Sequence, residues 1–296
     1  MIDNKEVYIH LGLHKTASTF FQKKVYPIYK EFNYLHLRDK NTLAEFNQYV
    51  LRENDLFFSK EIAKNLFYKN TNTKQFASNR ITLCEEQFSG FPLFDAYNRK
   101  SIFDRLNSIF PNAKYILVLR NQRDFILSMY GEYLKKGGQE TLSDFLSVNK
   151  THLNFSKGSY LQYYSYYKYI ISKVGKDNIE IFYYEDMKSD PRAFFNTLQN
   201  YFNLSFDIKF DLIKQKENVS FSTKEYEVER FFNRFCKSPY SPNHFFKRKS
   251  FKYLKPLINY IIKNEDFQKT IDDYLKSKNF NNEFLPEYSR IKKYGY

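Results

Sequence analysis

No tryptophan occurs in these 296 residues, and cysteine appears only twice, as Cys84 and Cys236. Two cysteines so far apart exclude a disulfide framework. The sequence also lacks a His/Cys/carboxylate cluster with the spacing of metal ligands, so no metal is expected. A reducing cytoplasm is the expected compartment. No run approaches the roughly 18 apolar residues of a membrane span. Asp3, Asn4, Lys5 and Glu6 lead straight into a strand-like run, so a secretory signal is not expected either. Internal repeats and low-complexity linkers are missing as well.

What remains is rich in Phe, Tyr, Lys, Asn and Ile, the bias of an AT-rich genome, with 32 Phe and 27 Tyr to fill a sizeable core. The formal net charge of +14 favours anionic partners: a nucleotide, an acidic or sulfated glycan, nucleic acid or a membrane surface. The same genomic bias also yields a lysine-rich solvated exterior with no partner at all, and only a local cluster distinguishes the two.

Short apolar runs alternate with helical periods. Val7–Leu11 (V-Y-I-H-L), a segment near Tyr34–Leu37, Arg80–Leu83, Lys114–Leu119 (K-Y-I-L-V-L) and Asn178–Tyr184 read as strands. Thr19–Val25 and Asp124–Lys135 read as helices. Another follows Gly158-Ser159-Tyr160, and a further one starts at Asp190-Pro191 and runs through Phe202. The expected fold is α/β, a parallel β-sheet flanked by helices. Residues 1–206 are assigned to this core and residues 207–296 to a helical C-terminal extension packed on the same domain.

Gly12-Leu13-His14-Lys15-Thr16-Ala17-Ser18-Thr19 follows the first strand and opens a helix. Backbone N–H groups and the helix dipole make that place an anion site. Lys15 adds a positive charge, and Thr16, Ser18 and Thr19 add hydroxyls. The spacing differs from that of a nucleotide-triphosphatase loop, because Lys15 lies only three residues after Gly12 and has no Gly before it. Farther on, Arg120 ends a strand, where an open α/β sheet presents its ligands, and Ser128 lies eight residues beyond it. An arginine there can grip a phosphate with two parallel hydrogen bonds.

The first string resembles the 5′-phosphosulfate-binding loop of the sulfotransferases that use 3′-phosphoadenosine 5′-phosphosulfate (PAPS). Their bacterial members read H-x-G-x-x-K-T-G-T-T-x-x-Q, matched here by His10, Gly12, Lys15, Thr16, Ala17, Ser18, Thr19 and Gln22. Ala17 replaces a Gly, which calls for a negative φ, and Ser18 replaces a Thr but keeps the hydroxyl. The string L-R-N-Q-R-D-F-I-L-S-M-Y resembles the family's 3′-phosphate segment, in which the residues matching Arg120 and Ser128 hold that phosphate. Gly158-Ser159-Tyr160, Ile179–Met187 and Asp190-Pro191 match the supporting run seen across the family, with Glu185 read as a capping or pairing group. The resemblance covers Val7–Leu204.

A P-loop-like sulfotransferase fold is what this resemblance implies. It further implies PAPS as sulfuryl donor, 3′-phosphoadenosine 5′-phosphate (PAP) as product, and Gly12, His14 and Lys15–Thr19 around the 5′-phosphosulfate. Lys15 would stabilise the leaving phosphate. For the base, Glu86 in L-C-E-E-Q-F-S-G matches a recurrent bacterial Glu, while Glu85 alternates away. His36, at the end of the second strand, is its rival, and His14 is a third option better suited to shaping the loop. By analogy with the bacterial members the acceptor is a carbohydrate or glycolipid hydroxyl. Two other classes are weighed: a P-loop-type nucleotide kinase, which the loop spacing disfavours, and a basic nucleic-acid-binding protein with aromatic stacking side chains. The basic, apolar segment Phe245–Lys263, broken by Pro256, fits two short helices packed on the domain better than a peripheral membrane contact or a wall of the acceptor cleft.

Overall fold

The computed structural model describes residues 5–38, 43–69, 71, 78–92, 95–147, 158–204, 223–239 and 266–278. Five strands form one sheet: β1 (Glu6–Gly12), β2 (Tyr34–Leu35), β3 (Arg80–Glu85), β4 (Lys114–Leu119) and β5 (Ile179–Tyr183). The helices are α1 (Ser18–Phe20), α2 (Ala44–Arg52), α3 (Lys60–Lys69), α4 (Arg99–Ile109), α5 (Gln122–Lys135), α6 (Leu142–Leu146), α7 (Tyr163–Val174), α8 (Tyr184–Ser189), α9 (Pro191–Phe202), α10 (Thr223–Asn233) and α11 (Phe267–Ser277). The described residues of 1–121 and 162–215 make one compact unit, and those of 122–161 and 216–284 a second. The expected boundary near residue 207 and the basic segment Phe245–Lys263 lie outside the described residues.

The first unit holds the whole sheet, in the order β2-β3-β1-β4-β5 with every pairing parallel. β1 is central, with β3 on one edge and β4 on the other, and its faces are packed as well, so Val7–Gly12 are buried throughout. One face carries Tyr8, Cys84, Ile116, Val118 and Phe182 into an aromatic cluster with Phe21, Tyr26, Phe32, Phe195 and Phe202. Within it Tyr8 stacks on Phe202 with centroids 4.3 Å apart, and Phe32 meets the same ring edge-on at 4.7 Å. On the opposite side Phe103 of α4 packs on Tyr115, while Phe46, Phe67 and Phe110 form their own group. Asp190 caps α9 by accepting from Ala193 N at 3.0 Å, with Pro191 in the first turn as its sequence announced.

The segment Thr19–Val25 departs from a plain helix: α1 is three residues long and passes into a π-helical turn over Phe21–Val25. That wider turn carries Phe21 and Val25 together into the buried cluster.

The second unit is helical, built from α5, α6, α10 and α11 around Tyr130, Tyr133, Phe145, Tyr226 and Phe267. Gly131 is needed there, since a Cβ would lie 2.7 Å from the Tyr226 ring. Among the described residues no helix is long and apolar enough to cross a membrane.

His10 lies fully buried on β1. Its Nδ1 is 2.9 Å from the Tyr26 hydroxyl, and its Nε2 has no hydrogen-bond partner among the described residues. Burial pushes its pKa down to about 3, so the ring is neutral at neutral pH. In the unfolded chain the imidazole titrates near 6.5, so below that pH the unfolded state binds a proton that the folded state refuses. Stability is therefore expected to fall as pH drops below 6.5, by about 2 kcal/mol at pH 5 from this residue alone. Urea unfolding at pH 7 and pH 5 checks this: His10→Gln loses that part of the pH dependence, and an unchanged dependence in the variant refutes the assignment.

Candidate active site

The loop from Gly12 to Thr19 leaves the carboxyl end of the central strand and is tied to itself. Thr16 Oγ1 donates to the Leu13 carbonyl at 2.6 Å, and Ser18 Oγ reaches the same oxygen at 3.4 Å. Both hydroxyls thus hold the loop's shape in this arrangement. Gly12 is required by close approach: a Cβ there would meet Ser18 Oγ at 2.7 Å and the Glu86 Cα at 3.1 Å.

Lys15 and Ala17 both adopt left-handed backbone, with φ of 64° and 63°. The negative φ anticipated for Ala17 is therefore not found; alanine takes the conformation that a glycine would take. A left-handed alanine costs about 1 kcal/mol relative to glycine. Ala17→Gly is expected to raise stability by about that amount without loss of activity, as read by chemical denaturation. A destabilised variant would mean that the Cβ packing outweighs the backbone strain.

Three strand ends in this unit meet at the loop. From β4, Arg120 donates from Nη1 to the Lys15 carbonyl at 2.9 Å. The guanidinium is buried and lies over the Tyr184 ring, 4.9 Å from its centroid, and its Nε has no hydrogen-bond partner among the described residues. From β3, the chain delivers Glu86, whose Oε1 accepts from Thr19 Oγ1 at 3.4 Å. Glu86 is half-buried, and that burial raises its carboxyl pKa. Glu85 pushes the same way, while Arg38, the Thr19 hydrogen bond and Lys15 pull it back.

Glu85 turns the other way, as alternation requires, although β3 ends there and Glu86 begins a 3₁₀ turn. Its carboxylate is buried, accepting from Arg38 Nε at 2.8 Å and from Asn47 Nδ2 at 3.4 Å. A buried carboxylate held by a guanidinium is structural, and it fixes the strand end from which Glu86 projects. Glu185 plays a similar part, accepting from Asn121 N at 2.9 Å, in line with its pairing role.

The other candidates are more dispersed. His36 sits exposed just past β2 at the sheet edge, with its ring beside Tyr34. His14 is half-buried in the loop. Ser128 lies half-buried on α5 in the second unit. Arg38 acts on a residue distant in sequence and carries no local spacing signal. Tyr184 belongs to the Ile179–Met187 run, whose sequence does not tell that its ring backs Arg120. Among the described residues no group of three His, Cys, Asp or Glu side chains is arranged to hold a metal ion.

Comparison with known proteins bears on this arrangement. The sequence model of the family described as "Sulfotransferase domain" matches residues 11–279. The chain belongs to the sulfotransferase family. The enzyme therefore transfers a sulfuryl group from PAPS, and the anion loop and the strand-end arginine lie within the matched residues. No curated protein matches the sequence significantly.

Among solved structures, the enzyme is similar to a sulfotransferase from Alicyclobacillus acidocaldarius, at 13% identity and TM-score 0.48 over 78% of this chain and 93% of that one. It is also similar to the sulfotransferase domain of the curacin biosynthetic pathway, at 16% identity and TM-score 0.44 over 72% and 78%. A mouse sulfotransferase complexed with PAP gives 12% identity and TM-score 0.45 over 98% and 88%.

Proposed function

We propose that this sulfotransferase modifies a hydroxyl of a carbohydrate or glycolipid, with Glu86 as base, Lys15 as stabiliser of the leaving phosphate and Arg120 as holder of the donor's 3′-phosphate. The single observation that supports these roles is the convergence at the loop: Thr19 reaches Glu86, and Arg120 reaches Lys15. Arg120 also suits its part chemically. It is a buried cation with one N–H left over, backed by an aromatic ring, and an anionic oxygen would complete it. The family resemblance gives Ser128 to the same phosphate, but the proposal rests on Arg120.

The chemistry is an in-line displacement through a loose transition state, governed by positioning and charge. Glu86 takes the proton of the acceptor hydroxyl as the new O–S bond forms. The bond from sulfur to the 5′-phosphate oxygen breaks, and the electron pair stays on that oxygen, where Lys15 and the loop N–H groups meet it. The buried free thiols of Cys84 and Cys236 suit a reducing cytoplasm, where the enzyme would act on its acceptor before export.

PAP is expected to raise the melting temperature more than AMP or ATP does, because only PAP carries a 3′-phosphate for Arg120. Arg120→Ala should erase the difference between PAP and AMP. Equal shifts for PAP and AMP in the native enzyme would remove Arg120 from that role. A single-stranded oligonucleotide that outdid PAP, with affinity falling steeply with salt, would favour the nucleic-acid reading instead.

A further inference from the structure

The first unit also holds a cavity of about 660 Å³, within the range of small-molecule sites. Its walls come from the end of α2, the turn after it, α4 and the connection from β3 to α4. We propose that this cavity is a subsite for uncharged sugar units of the acceptor, away from the hydroxyl that is sulfated. The proposal rests on the reading of the acceptor as a glycan and extends it to a named surface.

Phe91, in the cavity wall, is only five residues beyond Glu86, so the two are within about 17 Å even if the chain were fully extended. The connection between them is held firmly. Arg99 Nε donates to the Ser89 carbonyl at 2.9 Å, and Ala96 N donates to the Phe91 carbonyl at 2.9 Å. Asp95 and Ala96 are consecutive left-handed residues, with φ of 57° and 55°. Non-glycine backbone of this kind is costly and persists where the surroundings enforce it, which is characteristic of binding surfaces.

The lining has two cations, Arg52 and Arg105, and two anions, Glu53 and Asp55, which cancel. A site for phosphate or a sulfated glycan would carry a surplus of positive charge, and the chain has plenty elsewhere to supply one. Here the arginine is already engaged: Arg105 Nη1 donates to the Val50 carbonyl at 2.8 Å, and Nη2 pairs with Asp55 at 2.6 Å over the face of Phe58.

Asp55 is fixed by Arg105 and by Ser101, whose hydroxyl donates to it at 2.7 Å, yet its side chain is 65% exposed and offers oxygens toward solvent. A carboxylate held in this way accepts hydrogen bonds from neighbouring sugar hydroxyls. Tyr97 lines the same cavity with 77% of its surface exposed, unusual for an aromatic residue in a chain that buries so many. An exposed ring beside fixed polar groups suits the C–H face of a pyranose, with the ring covering the apolar side and Asp55 the hydroxyls.

The test uses the full-length enzyme saturated with PAP and a panel of neutral malto-, cello- and chito-oligosaccharides, measured by calorimetry. At least one is expected to bind, with affinity nearly unchanged between about 50 and 500 mM NaCl. Tyr97→Ala should weaken that binding about tenfold while leaving the PAP-induced thermal shift intact. Asp55→Asn should weaken it as well. Binding by none of the panel, wild-type affinity in both variants, or displacement by a heparin oligosaccharide at low salt would each overturn the proposal. Two outcomes separate the cavity from the acceptor reading. Oligosaccharides that bind through Tyr97 but never accept labelled sulfate leave the cavity standing and remove the glycan acceptor. Sulfated product made with an unchanged KM by Tyr97→Ala does the reverse.

Discussion

Lys15→Ala is expected to lower kcat by about two to three powers of ten while leaving PAP affinity within a few-fold. In the proposed role the ammonium would matter most when the bridging oxygen of the leaving phosphate takes on charge, so its loss would weigh on the transition state more than on the ground state. The substitution is also clean structurally. Lysine and alanine bear the same strain at a φ of 64°, and the bond from Arg120 goes to the Lys15 backbone carbonyl, which alanine keeps. Arginine in its place should rescue poorly, because a planar fork cannot replace a compact point charge within a tight loop. Single-turnover transfer of labelled sulfate separates this effect from product release. Turnover at the wild-type rate would deny Lys15 its role.

Glu86→Gln is the second large effect, a fall in kcat of about two to four powers of ten, as for loss of a general base. The pH profile makes the test specific. A base works only when deprotonated, so the rate of the native enzyme should drop as pH falls through the Glu86 pKa. Burial raises that pKa above the ordinary carboxylate value, so the acid limb should begin at a higher pH than for a solvent-exposed glutamate. In Glu86→Gln the acid limb should vanish and the residual slow rate should be flat, with PAP binding unchanged. If His36→Ala removes the limb instead, the base lies at the sheet edge and Glu86 is a structural neighbour of Thr19.

The sheet was legible because a parallel strand covered on both faces must be apolar along its length. The run Lys114–Leu119 coincides with β4, and Asp190 and Pro191 announce the start of α9. The loop Gly12–Thr19 is legible in composition but not in backbone. Alanine rarely adopts a left-handed conformation, so the sequence argued for a negative φ at Ala17 and the tertiary setting overruled it. α2, α3 and α4 carry no signal singled out in the sequence, and the cavity wall, with Asp55 and Arg105, is built from α2, α4 and the connections beside them. Contacts such as Arg38 with Glu85, 47 residues apart, and Arg120 with Tyr184 arise only when strands are brought side by side. Periodicity carries no information about them.

The central position of β1 has a consequence for how the chain is made. This strand emerges first during synthesis, yet both its neighbours come late: Tyr8 lies opposite Thr82 on one side and Lys114, 106 residues away, on the other. At about 5–20 residues per second, the ribosome leaves the V-Y-I-H-L run without its second neighbour for about 5–20 seconds. During that interval a segment with free backbone N–H and C=O groups, on both edges until β3 is made and on one edge afterwards, is a template for pairing with other nascent chains. The same centrality that puts the Gly12–Thr19 loop at the middle of the sheet leaves this segment open to mispairing until β4 has been made.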